Sequence, residues 1–297
     1  MNIQLEDRNV TGIEPFYVGT RRRLATATGV AFVTENRLAV TSLVGRRMYL
    51  IEFDLEAQTH RVVFSTATTS ADGDAKTDLL SFDGNSMLAA SNCDAASFSL
   101  YELRGDELSR VRDLQLKRAT FCHGIEFGPR DSRLVAAAST GKDPAVHVFS
   151  LDAEDAVYVF AFDDWRPRDT GFVSSTRLVV PYARNSATGT ADASGDESIV
   201  RLVELNLGGR FRRSHDVVAE LAFDGSRFEG CVHRAGRVFL ADQAGDRVIE
   251  CSIDGDALSF VREHPGYDFP HGVDFLPSQG LLAATNYGSN TVTITKI

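Results

Sequence analysis

The sequence predicts an all-β fold, and three observations support this prediction. Short runs of alternating apolar and polar residues recur along the 297 residues, and turns rich in Gly, Asp, Asn and Ser separate them. No stretch has the apolar periodicity of an α-helix. The runs recur in groups of four with a period of roughly 40–50 residues, which is typical of the blades of a β-propeller. We therefore predict a single propeller domain over residues 1–297.

Six blade starts can be aligned along the chain. The clearest pair is "FCHGIEF" at 121–127 and "FPHGVDF" at 269–275, and each start is followed by strand-like runs such as "RLVAAAS" and "AVHVFSL" of the third blade. The six starts are Thr28, Asp78, His123, Thr170, Glu229 and His271. The interval from Thr170 to Glu229 is the longest, so a seven-bladed ring with one blade hidden there stays open as an alternative.

The two ends of the chain are predicted to meet in one blade. The sixth unit stops after its third strand at Ile297, and the strand-like stretch Ile3–Asn9 can complete that blade and close the ring. Closure removes the exposed sheet edges that would favour aggregation. The polar insertion 183–197, "ARNSATGTADASGDE", falls between two strands of the fourth blade. Long loops of this kind are functional or disordered, so it is either a lid over the site or an inert insertion.

Composition narrows the class of protein. Asp and Glu number 41 against 31 Lys and Arg, which gives a net charge of −10 and argues against nucleic-acid binding. No run of about 18 apolar residues is present, so we expect no membrane span. No signal peptide is evident, and the four cysteines show no disulfide framework. We therefore expect a cytoplasmic protein with reduced thiols.

The residues at the blade starts form the candidate metal site. They occupy equivalent positions at one mouth of the channel, and four of the six have side chains that can bind a metal ion. We predict that His123, Glu229 and His271 bind one Zn²⁺, Mn²⁺ or Fe²⁺ ion, with Asp78 as a fourth ligand or general base. The repeated motif also has a simpler interpretation, in which each histidine only satisfies a backbone group.

Further residues extend this candidate site. Glu126 and Asp274 follow the two histidines on the same strands, and with Asp78 they are the candidate catalytic carboxylates. Basic residues cluster in the segments predicted at this mouth, which would favour an anionic ligand, although scattered surface charge explains them equally well. The candidate substrate-binding residues are Arg22, Arg118, Arg168, Tyr182, Arg184, Asp242 and Asn286. Asp242 and Asn286 are also the residue types that brace turns between strands.

Two stretches resemble known propeller families. "GLLAATNYGSNTVTI" at 280–294 resembles the repeat of lactonase-type propellers, and "RVFLADQAGDRVIECSIDG" at 237–255 is similar to an NHL repeat. Gluconolactonase-like proteins hold a divalent metal with Glu, Asn and Asp from blade starts, and only Glu229 in "FEG" matches that pattern by residue type. The histidines are closer to those of zinc-bearing lyases of the NHL type. The resemblance thus implies a propeller and, less specifically, a metal-dependent enzyme.

Two functions are consistent with these features. The first is a metal-dependent hydrolase that opens a lactone or similar ester of a small anionic or polyhydroxylated substrate. The second is a non-catalytic propeller that binds a protein or peptide on its basic face.

Overall fold

The computed structural model describes residues 1–5, 16–18, 21–23, 27–70, 73–184, 197–208 and 213–297. Six antiparallel sheets follow one another along these parts of the chain; five have four strands and one has five, and in the last sheet the outer strand comes from the amino terminus. The first strand of each sheet contacts the first strands of both neighbours, so the six sheets form a closed ring. The prediction of a six-bladed propeller is confirmed, and the long interval after Thr170 holds one blade.

The first three blades each form from four consecutive strands. Blade 1 consists of Ala27–Thr34, Arg37–Ser42, Arg47–Asp54 and Thr59–Ala67. Blade 2 consists of Thr77–Phe82, Met87–Asn92, Ser97–Arg104 and Glu107–Gln115. Blade 3 consists of Cys122–Phe127, Leu134–Ser139, Ala145–Ser150 and Ala156–Phe160.

The remaining blades differ slightly from this plan. Blade 4 consists of Gly171–Ser174, Arg177–Arg184, Glu197–Asn206 and Ser214–Asp224, and the short strand Trp165–Pro167 extends it beside Arg177–Arg184. Blade 5 consists of Phe228–Arg234, Arg237–Asp242, Arg247–Asp254 and Ala257–Pro265. Blade 6 consists of Pro270–Leu276, Leu281–Asn286, Thr291–Lys296 and the amino-terminal strand Asn2–Gln4. Two short ribbons, Phe16–Val18 with Arg21–Arg23 and Thr69–Ser70 with Gly73–Asp74, lie outside the blades.

The amino-terminal strand closes the ring as the sequence predicts. Ile3 pairs with Val292 in antiparallel register, and its side chain is fully buried. The amino-terminal ammonium group donates to the carbonyl of Ile294 at 2.9 Å. The part of the predicted strand beyond Leu5 and residues 185–196 of the insertion lie outside the described residues. Arg184 and Glu197, at the ends of that insertion, form a 2.5 Å ion pair.

The glycines after His271 and Glu229 are explained by the close approach of neighbouring first strands. A Cβ atom on Gly272 would lie 2.3 Å from the carbonyl oxygen of Thr28, and one on Gly230 would lie 2.3 Å from that of His271. No other residue fits there without moving the backbone. At these two blade junctions the glycine is therefore required by the close packing of the strands that line the channel, whereas blade 2 has Leu79 at the equivalent position.

Apolar clusters hold adjacent blades together. One cluster joins blade 1 to blade 6 and includes Ile3 and Leu5 of the closing segment. Such burial between sheets provides the main stabilisation of a propeller. Among the described residues, no helix has the length and apolar character needed to cross a membrane.

Candidate functional site

One mouth of the channel opens into a cavity of about 370 Å³. The first-strand starts of four blades form its floor through Asp78, His123, Glu229 and His271. The connections leading into the blades and the loops after the second strands form its walls, as the sequence predicts. A volume of this size lies at the lower end of the range for small-molecule sites.

The strands bulge at the point where the floor residues lie. The pairing between first and second strands shifts register at Thr77/Leu80, Cys122/Gly124, Phe228/Cys231 and Pro270/Val273. A bulge bends a strand and redirects its side chains, and bulges are frequent next to active sites. The same local irregularity in four blades thus brings the four side chains together.

Asp78, His123 and His271 form the tightest group on this floor. One potential ligand atom from each lies within 4.8 Å of those of the other two. The Asp78 carboxylate is 3.6 Å from Nε2 of His123 through Oδ2, and 3.6 Å from Nε2 of His271 through Oδ1. All three residues are buried. Two imidazoles and one carboxylate therefore converge on one point beneath the cavity.

The hydrogen bond of His123 fixes its tautomer. Its Nδ1 atom lies 2.7 Å from the carbonyl oxygen of Arg168, which can only accept, so Nδ1 carries the proton. In a neutral ring, Nε2 is then an acceptor, yet it lies 3.0 Å from Oε2 of Glu229 and 3.6 Å from Asp78. Three acceptors face one another. Either a second proton on His123 or a bound cation must separate them.

His271 is the second imidazole of the group. Burial lowers its pKa, and this effect outweighs the opposing influence of Asp78. The ring stacks on Tyr287, with 5.3 Å between centroids, and its Nδ1 is buried without a hydrogen-bond partner. Oδ1 of Asp78 is likewise buried without one. A histidine that is neutral at neutral pH keeps a lone pair for a metal ion.

Glu229 lies beside this group and has different partners. Its Oε2 accepts from Arg168 and its Oε1 accepts from Nε of Arg227 at 3.0 Å. Burial alone would raise the pKa of Glu229, but the two guanidinium groups and His123 hold it well below its ordinary value. Because both oxygens are occupied by arginines, the structure makes Asp78 the better third ligand.

Glu126 and Asp274, the other two predicted catalytic carboxylates, do not line the cavity. Arg234 donates to Glu126 at 2.6 Å and lies 3.3 Å from Asp274. Asp274 also accepts from the backbone amide of Phe32 at 2.7 Å. Burial raises the pKa of both carboxyl groups, and Arg234 partly opposes that shift. Both acids lie further along the first strands than the histidines do. There they pair with Arg234, which ends the first strand of blade 5.

Three of the predicted substrate-binding residues are buried away from the cavity. Tyr182 packs in the core between blades 3 and 4. Asp242 accepts from Ser226 and Arg247, and the amide group of Asn286 donates to Thr291 and Thr293. These contacts brace turns between strands, which was the alternative role for Asp242 and Asn286. We do not retain the three in the candidate site.

Of the four arginines predicted to bind substrate, only Arg168 is placed at the cavity by the described residues. Arg168 lines the cavity, whereas the exposed Arg118 lines a separate surface groove of about 560 Å³. Arg184 is exposed and paired with Glu197. Arg22 lies in the ribbon strand Arg21–Arg23, and its side chain is outside the described part of the structure.

Arg227 is a cavity residue that was not among the predicted substrate-binding residues. It precedes Glu229 by two positions, and side chains two apart on a strand share a side. That spacing was the available signal, since it places Arg227 next to a residue already assigned to the site. In the structure Arg227 lines the cavity.

Comparison with solved structures supports the fold. The chain is similar to hydrazine synthase of Kuenenia stuttgartiensis, with a TM-score of 0.62 and 12% identity over 95% of this chain and 99% of that chain. It is similar to the WD40 β-propeller domain of Doa1, with a TM-score of 0.59 and 13% identity over 92% and 93% of the two chains. It is also similar to the Cps50 (Swd1) β-propeller domain of Myceliophteria thermophila, with a TM-score of 0.55 and 16% identity over 94% of this chain and 100% of that chain.

At these identities the likeness shows the propeller fold alone. No protein-family model matches the chain, and the search of curated proteins gives no match either. The resemblance to lactonase-type and NHL-type repeats stays a prediction from the sequence.

Proposed function

We propose that the protein is a metal-dependent hydrolase that opens a lactone or similar ester of a small molecule in the cavity at the channel mouth. The observation that carries this proposal is the meeting of three acceptors at Nε2 of His123, where either a second proton on His123 or a bound cation must separate them. A divalent cation meets that requirement, and the buried Oδ1 of Asp78 without a donor supports it.

The donor set fits a divalent transition metal. Two imidazoles and one carboxylate suit Zn²⁺, Mn²⁺ or Fe²⁺ and leave positions for other ligands. Ligand atoms roughly 2.0–2.2 Å from an ion lie about 3–4 Å from one another, and the Asp78 carboxylate is 3.6 Å from each imidazole nitrogen. Asp78, His123 and His271 would hold the ion, with Glu229 beside it.

The chemistry divides between the ion and the protein side chains. A divalent ion polarises a carbonyl group and makes water a better nucleophile near neutral pH. The Arg168 carbonyl keeps the proton of His123 on Nδ1, which leaves Nε2 free to bind. The Asp78 oxygen that does not bind the ion can accept a proton from an attacking water. Tyr287 fixes the plane of His271 by stacking.

A hydrolysis assay tests the proposal. Protein purified without chelators or nickel resin is assayed on a panel of small lactones, before and after metal removal. We expect hydrolysis by the metal-loaded protein, loss after chelation and recovery when Zn²⁺ or Mn²⁺ is restored. His271→Ala should be inactive, and His60→Ala, at an exposed position in blade 1, is the matched control that should keep activity. Equal hydrolysis with and without metal would contradict the proposal.

The second candidate function is non-catalytic binding of a protein or peptide at the same mouth. Phe121, 36% exposed and beside the cavity, could anchor such a partner. This candidate predicts no metal in the purified protein and a partner interaction that Phe121→Ala weakens.

A further inference from the structure

Two arginines on the cavity wall share one buried carboxylate. Nε of Arg227 donates to Oε1 of Glu229 at 3.0 Å, and Nη2 of Arg168 donates to Oε2. Arg168 comes from the connection before blade 4, and Arg227 comes from the one before blade 5. Glu229 thus holds guanidinium groups from two separate connections side by side.

Most donors of these arginines are unused within the described residues. A guanidinium group carries five N–H donors, and the only described side-chain partner of Arg227 is Glu229, through Nε. Its side chain is 26% exposed, and it lines the cavity. With Nε fixed, the edge formed by Nη1 and Nη2 is available to a ligand. Nε of Arg168 is buried without a partner.

The charge balance of the cavity favours an anion. Arg166, Arg168 and Arg227 line it, against the two carboxylates Asp78 and Glu229. A divalent ion beside Asp78 would add further positive charge. Because a guanidinium edge matches the two oxygens of a carboxylate or phosphate, Arg227 is suited to such a group.

We propose that Arg227, with Arg168 beside it, binds a carboxylate or phosphate group of the substrate, and that Glu229 is the positioning residue that orients both arginines. This inference rests on the proposed function, from which the lactone or ester group of the substrate is taken. It narrows that substrate to a small lactone or ester that carries an oxyanion group. It also gives Glu229 a role other than metal ligand.

A role limited to neutralising Glu229 explains the arrangement less well. One guanidinium group would balance the charge of one carboxylate, yet two are present and both line the cavity. Arg227 also remains partly exposed instead of being covered.

Anion titration of metal-free protein tests the inference without any assay of activity. Inorganic phosphate and malonate are titrated separately by calorimetry into chelator-treated protein, so that the two sources of oxyanion are compared. We expect Arg227→Gln to weaken binding of the preferred anion by about tenfold or more, since a charge-assisted hydrogen bond is lost. Arg227→Lys should bind at intermediate strength because it lacks the fork. Arg61→Gln, which changes an exposed arginine paired with Glu52 in blade 1, is the matched control and should bind like wild type.

Glu229→Gln distinguishes orientation from simple charge. Removing a negative charge from the cavity would strengthen anion binding if only electrostatics mattered. If Glu229 orients the arginines, the variant should bind the anion more weakly than wild type. Tighter binding by this variant, wild-type binding by Arg227→Gln, or no binding of either anion by wild type would overturn the inference. Because the titration uses metal-free protein, its result is independent of whether the metal proposal holds.

Discussion

Two buried clusters of charged residues occupy the propeller channel and differ in how their polar atoms are satisfied. The mouth cluster consists of Asp78, His123, Glu229 and His271, and the channel cluster consists of Glu126, Asp169, Arg234 and Asp274. In the channel cluster, Arg234 and backbone amides donate to the carboxylates, and Asp169 accepts from Ile125 and Cys231 at 3.1 and 2.7 Å. In the mouth cluster, acceptors face one another and two buried polar atoms have no partner.

Burial and charge alone therefore do not mark a functional site in this protein. Both clusters are built by first strands, and both hold carboxylates that are almost completely buried. The channel cluster stabilises the ring because its carboxylates accept hydrogen bonds or ion pairs from Arg234 and from backbone amides within the protein. The mouth cluster has acceptors left over and opens into a cavity, which is the condition for binding a ligand.

The largest expected effect comes from a change that lies outside both clusters. Deleting residues 1–5 removes Ile3 and Leu5 from the core and opens the ring. Each lost aliphatic side chain costs about 2–5 kcal/mol, so cooperative unfolding should weaken severely and both clusters should lose order together. Urea denaturation followed by fluorescence measures this. An unchanged midpoint would show that the amino-terminal strand does not hold the ring closed.

Arg234→Met should destabilise the protein through the channel cluster. It leaves Glu126 and Asp274 buried without their cation, and breaking a buried ion pair in this way costs about 3–5 kcal/mol. Metal affinity of the folded variant should stay at the wild-type level. Arg61→Met, which removes an exposed arginine paired with Glu52, is the control and should change stability little. Equal unfolding midpoints for the two variants would show that the channel cluster does not stabilise the fold.

Asp78→Asn in the mouth cluster should leave stability nearly unchanged and abolish metal binding, which is the reverse of the result expected for Arg234→Met. Because Oδ1 of Asp78 has no hydrogen-bond partner, the free energy of unfolding should change by no more than about 1 kcal/mol. Metal affinity should be lost, since an amide is a poor substitute for a carboxylate ligand. If this variant is as unstable as Arg234→Met, Asp78 contributes to stability as the channel cluster does, and the proposed difference between the two clusters is wrong.

The pH dependence of Arg234→Met sharpens the contrast further. Burial raises the pKa of Glu126 and of Asp274, and Arg234 opposes both shifts. A carboxyl group whose folded-state pKa is raised favours folding when protonated, and that contribution is lost as pH rises through the folded pKa. Without Arg234 both values rise further, so the variant should lose more stability than wild type between about pH 4 and 7. If the unfolding midpoints of wild type and Arg234→Met change with pH in the same way, Arg234 does not lower the pKa values of these two carboxyl groups.

Tyr182→Phe tests whether a lone unsatisfied atom is enough to indicate function. The Tyr182 hydroxyl is buried without a partner but lies in the core between blades 3 and 4. Removing it should leave stability unchanged or raise it by about 1 kcal/mol. Anion and metal affinities, measured by calorimetry, should not change. A loss of either affinity would return Tyr182 to the site.

The sequence was sufficient for the fold because the signals there are local. Turn residues and alternating strands recur at a regular spacing, and the missing fourth strand of the last blade indicated a closing strand at Ile3–Asn9, of which the structure describes the part up to Leu5. Register also predicted which residues share the channel mouth, and the structure places Asp78, His123, Glu229 and His271 around one cavity.

The partners of the site residues could not be predicted in the same way. Arg168 reaches Glu229 from another blade, and Arg234 reaches Glu126 across the channel. Such contacts depend on long side chains and on strand bulges that alter simple alternation. Whether Tyr182 at a strand end faces the cavity or the core is likewise decided by packing between blades.

Metal titration tests the central claim most directly. Chelator-treated wild-type protein is titrated with Zn²⁺ and Mn²⁺ by calorimetry, beside His123→Ala, His271→Ala and the control His60→Ala. We predict that wild type and the control bind one equivalent of one of these ions and that both site variants lose this binding while keeping their unfolding midpoints. Wild-type protein that binds neither ion, or site variants that bind as wild type does, would contradict the account.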